Sequence, residues 1–176
     1  MSANPRSEFN STAENQIDEI DSHKYIIFKL GPELYGTPLL AVREVVEEMP
    51  IKPLPNTIVS FKGVCNLRGQ IIGVIDLSEQ FKIGHLTPKK PVLMVFDSEK
   101  GALAVQVDCI ETVIVIPPEN IEIETGLLAS LDHSFIRGIG KLGDRLVTLI
   151  DLKSILSTQD FMDLSNSKLI PKREAG

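Results

Sequence analysis

Four carboxylates, Asp76, Asp108, Glu111 and Asp151, are the side chains here best suited by type to acid–base work, because a protonated and an ionised carboxyl group can together hydrolyse a glycoside. Their contexts argue for other roles. Asp76 and Asp151 each stand where an apolar run gives way to an amphipathic stretch, LSEQF or LKSIL, which suits a helix N-cap accepting free backbone N–H groups. Asp108 and Glu111 belong to VQVDCIETV, where acids along an extended run mark a solvated face. Metal chemistry has no better support: His23, His85 and His133 lack a second ligand at i+2 to i+4, and Cys65 and Cys109 are 44 residues apart without CxxC spacing. Cys65 has no neighbouring histidine, no elbow motif surrounds a serine, and NLRGQ and KLGDR lack the glycine order of a phosphate-binding loop. By elimination the residues predict a binding module, not an enzyme, with no metal and no cofactor.

The elements that must present its surface come from a repeat. GVCNLRGQIIGVIDL at 63–77 and GIGKLGDRLVTLIDL at 138–152 share five of fifteen positions: Gly63/Gly138, Leu67/Leu142, Ile75/Ile150, Asp76/Asp151 and Leu77/Leu152. Each copy reads as strand, glycine-bearing turn, strand, and so as a β-hairpin. The upstream halves correspond more loosely, KYIIFKLGPELYGTPLLAVREVV against KPVLMVFDSEKGALAVQVDCIETVIVI, each giving strand, polar turn, strand, strand. Within the first, LLAVREVVEE is read as a tight turn followed by a strand, because its β-branched run leads into MPIKPLP. Asn56–Gly63, after Pro55, is read as a short helix capped by Asn56 and ended by Gly63. Five short strands per unit suggest a small closed barrel, since closure removes exposed sheet edges.

Barrels of about 65 to 70 residues bury little core alone, so they are expected to share an apolar seam and unfold together. That core should be aliphatic, as Trp is absent and aromatic residues make up 5%. Residues 1–22 read as a polar tail, 85–91 as a linker, 117–135 as a longer connection, and 157–176 as a short helix around Phe161, Met162 and Leu164 with a frayed end. The net charge of −6, from 18 basic and 24 acidic residues without a Lys/Arg block, argues against nucleic acid. No apolar stretch approaches the ~18 residues that span a bilayer and the N-terminus has no signal-like core, so a cytosolic protein is expected. A small barrel hydrolase or a nucleic-acid-binding barrel is the remote alternative, needing converging carboxylates or a basic aromatic face.

KGVCNLRGQIIGVIDLSEQF, with KYIIFKLGPELYG, the VREVV strand and FIRGIGKLGDRLVTLIDLKSIL, resembles the CheW family of chemotaxis coupling proteins from about Lys24 to Leu156. The resemblance implies an all-β fold with a few short helices: two tandem SH3-like five-stranded barrels packed around a hydrophobic seam. It places the domain at 23–156, the first barrel at about 36–86 and the second at about 91–150, with the ends crossing between them. It implies a non-catalytic cytoplasmic adaptor, monomeric alone and assembled in arrays, joining cytoplasmic tips of methyl-accepting chemoreceptors to the regulatory domain of a CheA-type histidine kinase. By motif, Arg68 and Glu44 match a family arginine and glutamate that influence these receptor and kinase contacts, and Val42 matches a position in the kinase-facing surface. Val105, Val107, Ile110 and Val113 fall on strands bordering a receptor groove, with Ile110 and Val113 the contact candidates and half or more of the four expected in core. Gly73 and Cys109 stand where the family commonly has proline and glycine, which leaves a flagellar array and a pilus-motility or biofilm pathway both open.

Overall fold

Apolar runs of about seven residues broken by glycine turns fold as strands in the computed structural model, which describes residues 23–55, 57–83, 90–123, 135–156 and 160. In chain order these are β1 (Lys24–Leu30), β2 (Glu33–Pro38), β3 (Glu44–Glu47), β4 (Phe61–Leu67), β5 (Gln70–Asp76), β6 (Val92–Ser98), β7 (Gly101–Val107), β8 (Cys109–Val115), β9 (Ile121–Glu122), β10 (Ile136–Leu142) and β11 (Arg145–Ile150). One short α-helix, α1 (Leu77–Gln80), and 3-10 turns at Leu39–Ala41, Pro118–Asn120 and Leu152–Ser154 complete the described elements. The fold is all-β with short helices, as the sequence predicts. The tail 1–22, Asn56, His85, His133 and the Phe161–Leu164 stretch lie outside the described residues.

The strands pair as a five-stranded sheet, β3-β6-β7-β5-β4, and a six-stranded sheet, β8-β1-β2-β11-β10-β9. Position by position these are one pattern used twice, with β6, β7, β5 and β4 matching β1, β2, β11 and β10. The match extends to the parallel pairing of β5 with β7 and of β11 with β2. Each sheet combines one copy's hairpin with the other copy's leading strands, so the chain crosses between them. Asp108 is one crossing point: β7 ends at Val107 and β8 begins at Cys109 in the other sheet. There Asp108 donates its N–H to the Lys29 carbonyl at 3.0 Å, while its Oδ2 accepts the Gly31 N–H at 2.7 Å. VQVDCIETV is therefore two strands joined at a clamped bend, and Asp108 ties the crossover to the β1–β2 turn.

The helix expected over Asn56–Gly63 is not found among its described residues, 57–63: Val59 and Ser60 lie in a turn and Phe61 already begins β4. Gly63 serves a bulge instead of a helix end. Register slips between Phe61 and Gly63 in the first hairpin, and between Ile136 and Gly138 in the second. Gly63 (φ +143°) and Gly138 (φ +154°) sit at those slips, and a Cβ on them would come within 2.2 Å of the Lys52 carbonyl oxygen and 2.8 Å of the Glu122 carbonyl oxygen. The repeated glycine thus has one physical cause in both copies, the close passage of an incoming strand. One extra residue also exchanges strand faces. Phe61 turns into the seam, while Cys65 and Leu67 point into the sheet's own core.

Three apolar clusters follow from alternation along strands that are buried on both faces. Leu93, Val95, Val74 and Cys65 fill the concave side of the five-stranded sheet, and Ile27, Val147, Leu149 and Ile116 that of the six-stranded one. Their alternate neighbours, Phe28 and Leu30 of β1, Met94 and Phe96 of β6, and Val105 and Val107 of β7, meet between the sheets in the largest cluster, the expected seam. Its composition is chiefly aliphatic, but Phe28, Tyr35, Phe81 and Phe135 form a ladder with successive centroids 6.0, 5.2 and 4.9 Å apart. Gly73, in mid-β5, makes room for this packing: a Cβ there would lie 2.8 Å from the Phe61 ring. Because the seam exceeds either satellite core, Phe28→Ala should cost about 3–5 kcal/mol and lower one shared thermal transition. Two separated transitions, or two stable proteolytic halves, would contradict a common core.

Candidate partner-binding site

Arg68 occupies the tip of the β4–β5 hairpin, where Leu67 pairs with Gln70 and leaves Arg68 and Gly69 as a two-residue turn. Its side chain is 75% exposed, yet it is not loose: Nη2 lies 2.8 Å from Glu44 Oε2 and Nη1 3.5 Å from Oε1, a forked grip on one carboxylate. Glu44 begins β3, and β3 and β4 are opposite edges of the five-stranded sheet. Their meeting, with the Lys52–Val64 bridge below it, shows the sheet curled until its edges approach. Arg43 adds a second cation, with Nε 4.0 Å from Glu44 Oε1 and Nη1 3.7 Å from Asp97 Oδ1. The result is a surface row of alternating charges, Asp97, Arg43, Glu44 and Arg68, in which Glu44 is half-buried between the two arginines. Val42 lies at its foot, half-buried against the seam.

The six-stranded sheet repeats this arrangement. Glu111 on its edge strand β8 takes Arg145, at the end of the second hairpin turn, at 3.7 Å and Lys29 of β1 at 3.1 Å. Aligning VREVV with CIETV puts Glu111 at the position of Glu44, but Arg145 aligns with Gln70 and Gly143 with Arg68, so the partners Arg145 and Lys29, like Arg43 and Asp97, gave no local signal of their own. The groove candidates divide as alternation requires. Val105 and Val107 are wholly buried in the seam, Ile110 is half-buried against it, and Val113 is 48% exposed on the outer face of β8. The structure brings Val42, Glu44 and Arg68 together and sets Ile110 and Val113 on the other sheet.

The remaining carboxylates have structural partners. Asp76 Oδ1 caps α1 through the N–H groups of Ser78 at 2.9 Å and Glu79 at 3.4 Å; Asp151 Oδ1 accepts the Lys153 N–H at 3.0 Å and Oδ2 pairs with Arg137. Burial of Asp151 opposes ionisation, but the Arg137 hydrogen bond and the backbone donor outweigh it and hold the carboxyl below its ordinary range. A lowered folded pKa stabilises above the unfolded value of about 4, and that contribution is lost as pH falls through the folded value. Asp151→Ala should therefore cost about 1 kcal/mol at pH 7, with the gap to wild type closing in melts at progressively lower pH below about 4. Burial pushes the Cys65 thiol up, which suppresses thiolate reactivity, while Cys109 is only half-buried at the start of β8.

These features define a class: a small all-β protein of two sheets packed across an apolar seam, with ion pairs on its hairpin tips and edge strands. A family model described as the CheW-like domain matches residues 24–160, and the chain belongs to that family. It is 29% identical over 157 residues to chemotaxis protein CheW of Klebsiella aerogenes, covering 89% of this chain and 95% of that one. It is 24% identical over 151 residues to chemotaxis protein CheW of Treponema pallidum, covering 83% and 89%. Among solved structures it resembles the scaffolding protein TtCheW of Thermoanaerobacter tengcongensis, with a TM-score of 0.71 and 31% identity over 79% of this chain and 90% of that one.

Proposed function

We propose that this protein is a non-catalytic cytoplasmic adaptor that couples methyl-accepting chemoreceptors to a CheA-type histidine kinase. Val42, Glu44 and Arg68 meet the kinase's regulatory domain, and Ile110 and Val113 border the surface that takes the receptor tip. The observation that carries this reading is the forked Arg68–Glu44 pair on an exposed turn, 2.8 Å at its shorter contact. A guanidinium held there offers a rigid, planar donor set to an acidic group of a partner. The relatives named for chemotaxis and for scaffolding support the direction of the proposal. Single contacts of about micromolar strength, near −8 kcal/mol, would suffice, because repetition in an array multiplies them.

Reconstitution tests the coupling. Adding the protein to receptor-bearing membranes and a CheA-type kinase should raise receptor-dependent autophosphorylation. Kinase activity that ignores the protein at saturating amounts would refute the reading. Comparing receptors of flagellar, pilus-motility and biofilm pathways in the same assay assigns the pathway.

A further inference from the structure

The two hairpin tips solve one turn in two ways. At the first, both central residues are left-handed, Arg68 at φ +51° and Gly69 at φ +88°, the type I′ geometry that asparagine or glycine ordinarily fills. At the second, Gly143 takes the first central position at φ +58°, and Asp144 stays out of the left-handed region, where Arg68 and Lys82 are the only non-glycine residues among those described. The repeat supplies its own control. A hairpin of this length in this fold closes with glycine where Arg68 stands, so closing the turn does not call for an arginine.

A strained residue persists only where its surroundings impose the conformation. At the first tip Asn66 Oδ1 accepts the Gly69 N–H at 2.7 Å, closing a side-chain turn around Leu67 and Arg68. The matching residue of the second tip, Lys141, pairs with Glu122 instead, and Gly143 closes the turn without that acceptor. The asparagine cap and the strained arginine occur together, and the copy without one lacks the other. Glu44 engages Nη1 and Nη2 only, so the guanidinium keeps donors for a second carboxylate.

The geometry points to Asn66 as the positioning residue for Arg68: its amide oxygen holds the left-handed tip so that the guanidinium is set in advance for an acidic group of the partner. Preorganisation of this kind spares the ordering cost of a long side chain on binding. The partner half of this inference rests on the adaptor reading above, while the backbone half does not.

Two measurements on Asn66→Ala and Asn66→Asp separate them, with Lys141→Ala as the control at the other tip. In the free protein, a strong intraresidue amide-to-Hα NOE at Arg68 reports positive φ. It should be present in wild type and Asn66→Asp and be lost in Asn66→Ala. Affinity for the regulatory domain of a CheA-type kinase should fall about tenfold in Asn66→Ala alone. An Asn66→Ala protein that keeps the NOE, or that keeps wild-type affinity after losing it, overturns the inference. Wild type that does not bind refutes the adaptor reading, and the NOE then decides the backbone claim by itself.

Discussion

Arg68→Glu is expected to weaken binding to the kinase regulatory domain about 100-fold, or about 2.7 kcal/mol, while the protein melts within a few degrees of wild type. The separation follows from position: the side chain is largely exposed, and an exposed ion pair contributes about 0.2–1 kcal/mol to folding. Glu44 lies within reach and would meet a like charge. The loss of binding could therefore be an indirect result of a disturbed edge, and a charge swap resolves this. Arg68→Glu combined with Glu44→Arg restores attraction between the two edges of the curled sheet. If the guanidinium at the tip touches the partner, the swapped protein stays weak; if the pair only braces the fold, it recovers.

Gly63→Ala should be the most destabilising glycine-to-alanine change among the described residues, at about 3–5 kcal/mol. Two effects combine. The added Cβ would lie 2.2 Å from the Lys52 carbonyl oxygen, a backbone atom that cannot swing aside, and φ of +143° is one that side-chain-bearing residues rarely adopt. Gly138→Ala, with 2.8 Å to Glu122, should cost less, and Gly69→Ala, with open space around it, about 1 kcal/mol. Thermal melts of the three variants check this order. A Gly63→Ala protein as stable as Gly69→Ala would mean the bulge relaxes and does not constrain the register.

The repeat made the hairpins, the capping roles of Asp76 and Asp151 and the shared seam legible, because each depends on local pattern: alternation, turn glycines and a carboxylate at a strand end. The β3 strand was readable from its β-branched run for the same reason. The helix expected at Asn56–Gly63 failed because Gly63 has a tertiary cause. Its glycine serves the approach of Lys52, eleven residues earlier, which no local propensity encodes. The break at Asp108 was hidden likewise. VQVDCIETV alternates like one strand, and only the Gly31 and Lys29 contacts reveal a crossing between sheets. Glu44 and Arg68 came from motif resemblance, but Arg43 and Asp97 join them through curling of the sheet, a long-range event. Lys29 and Arg145 converge on Glu111 in the same way, across strands distant in sequence.

Calorimetric titration of the purified protein with the regulatory domain of the CheA-type kinase from the same cell tests the central claim most directly. Saturable one-to-one binding near micromolar strength, lost in Arg68→Glu, is the predicted result. Absence of binding to any cognate kinase domain, with the protein folded and melting in one transition, would contradict it.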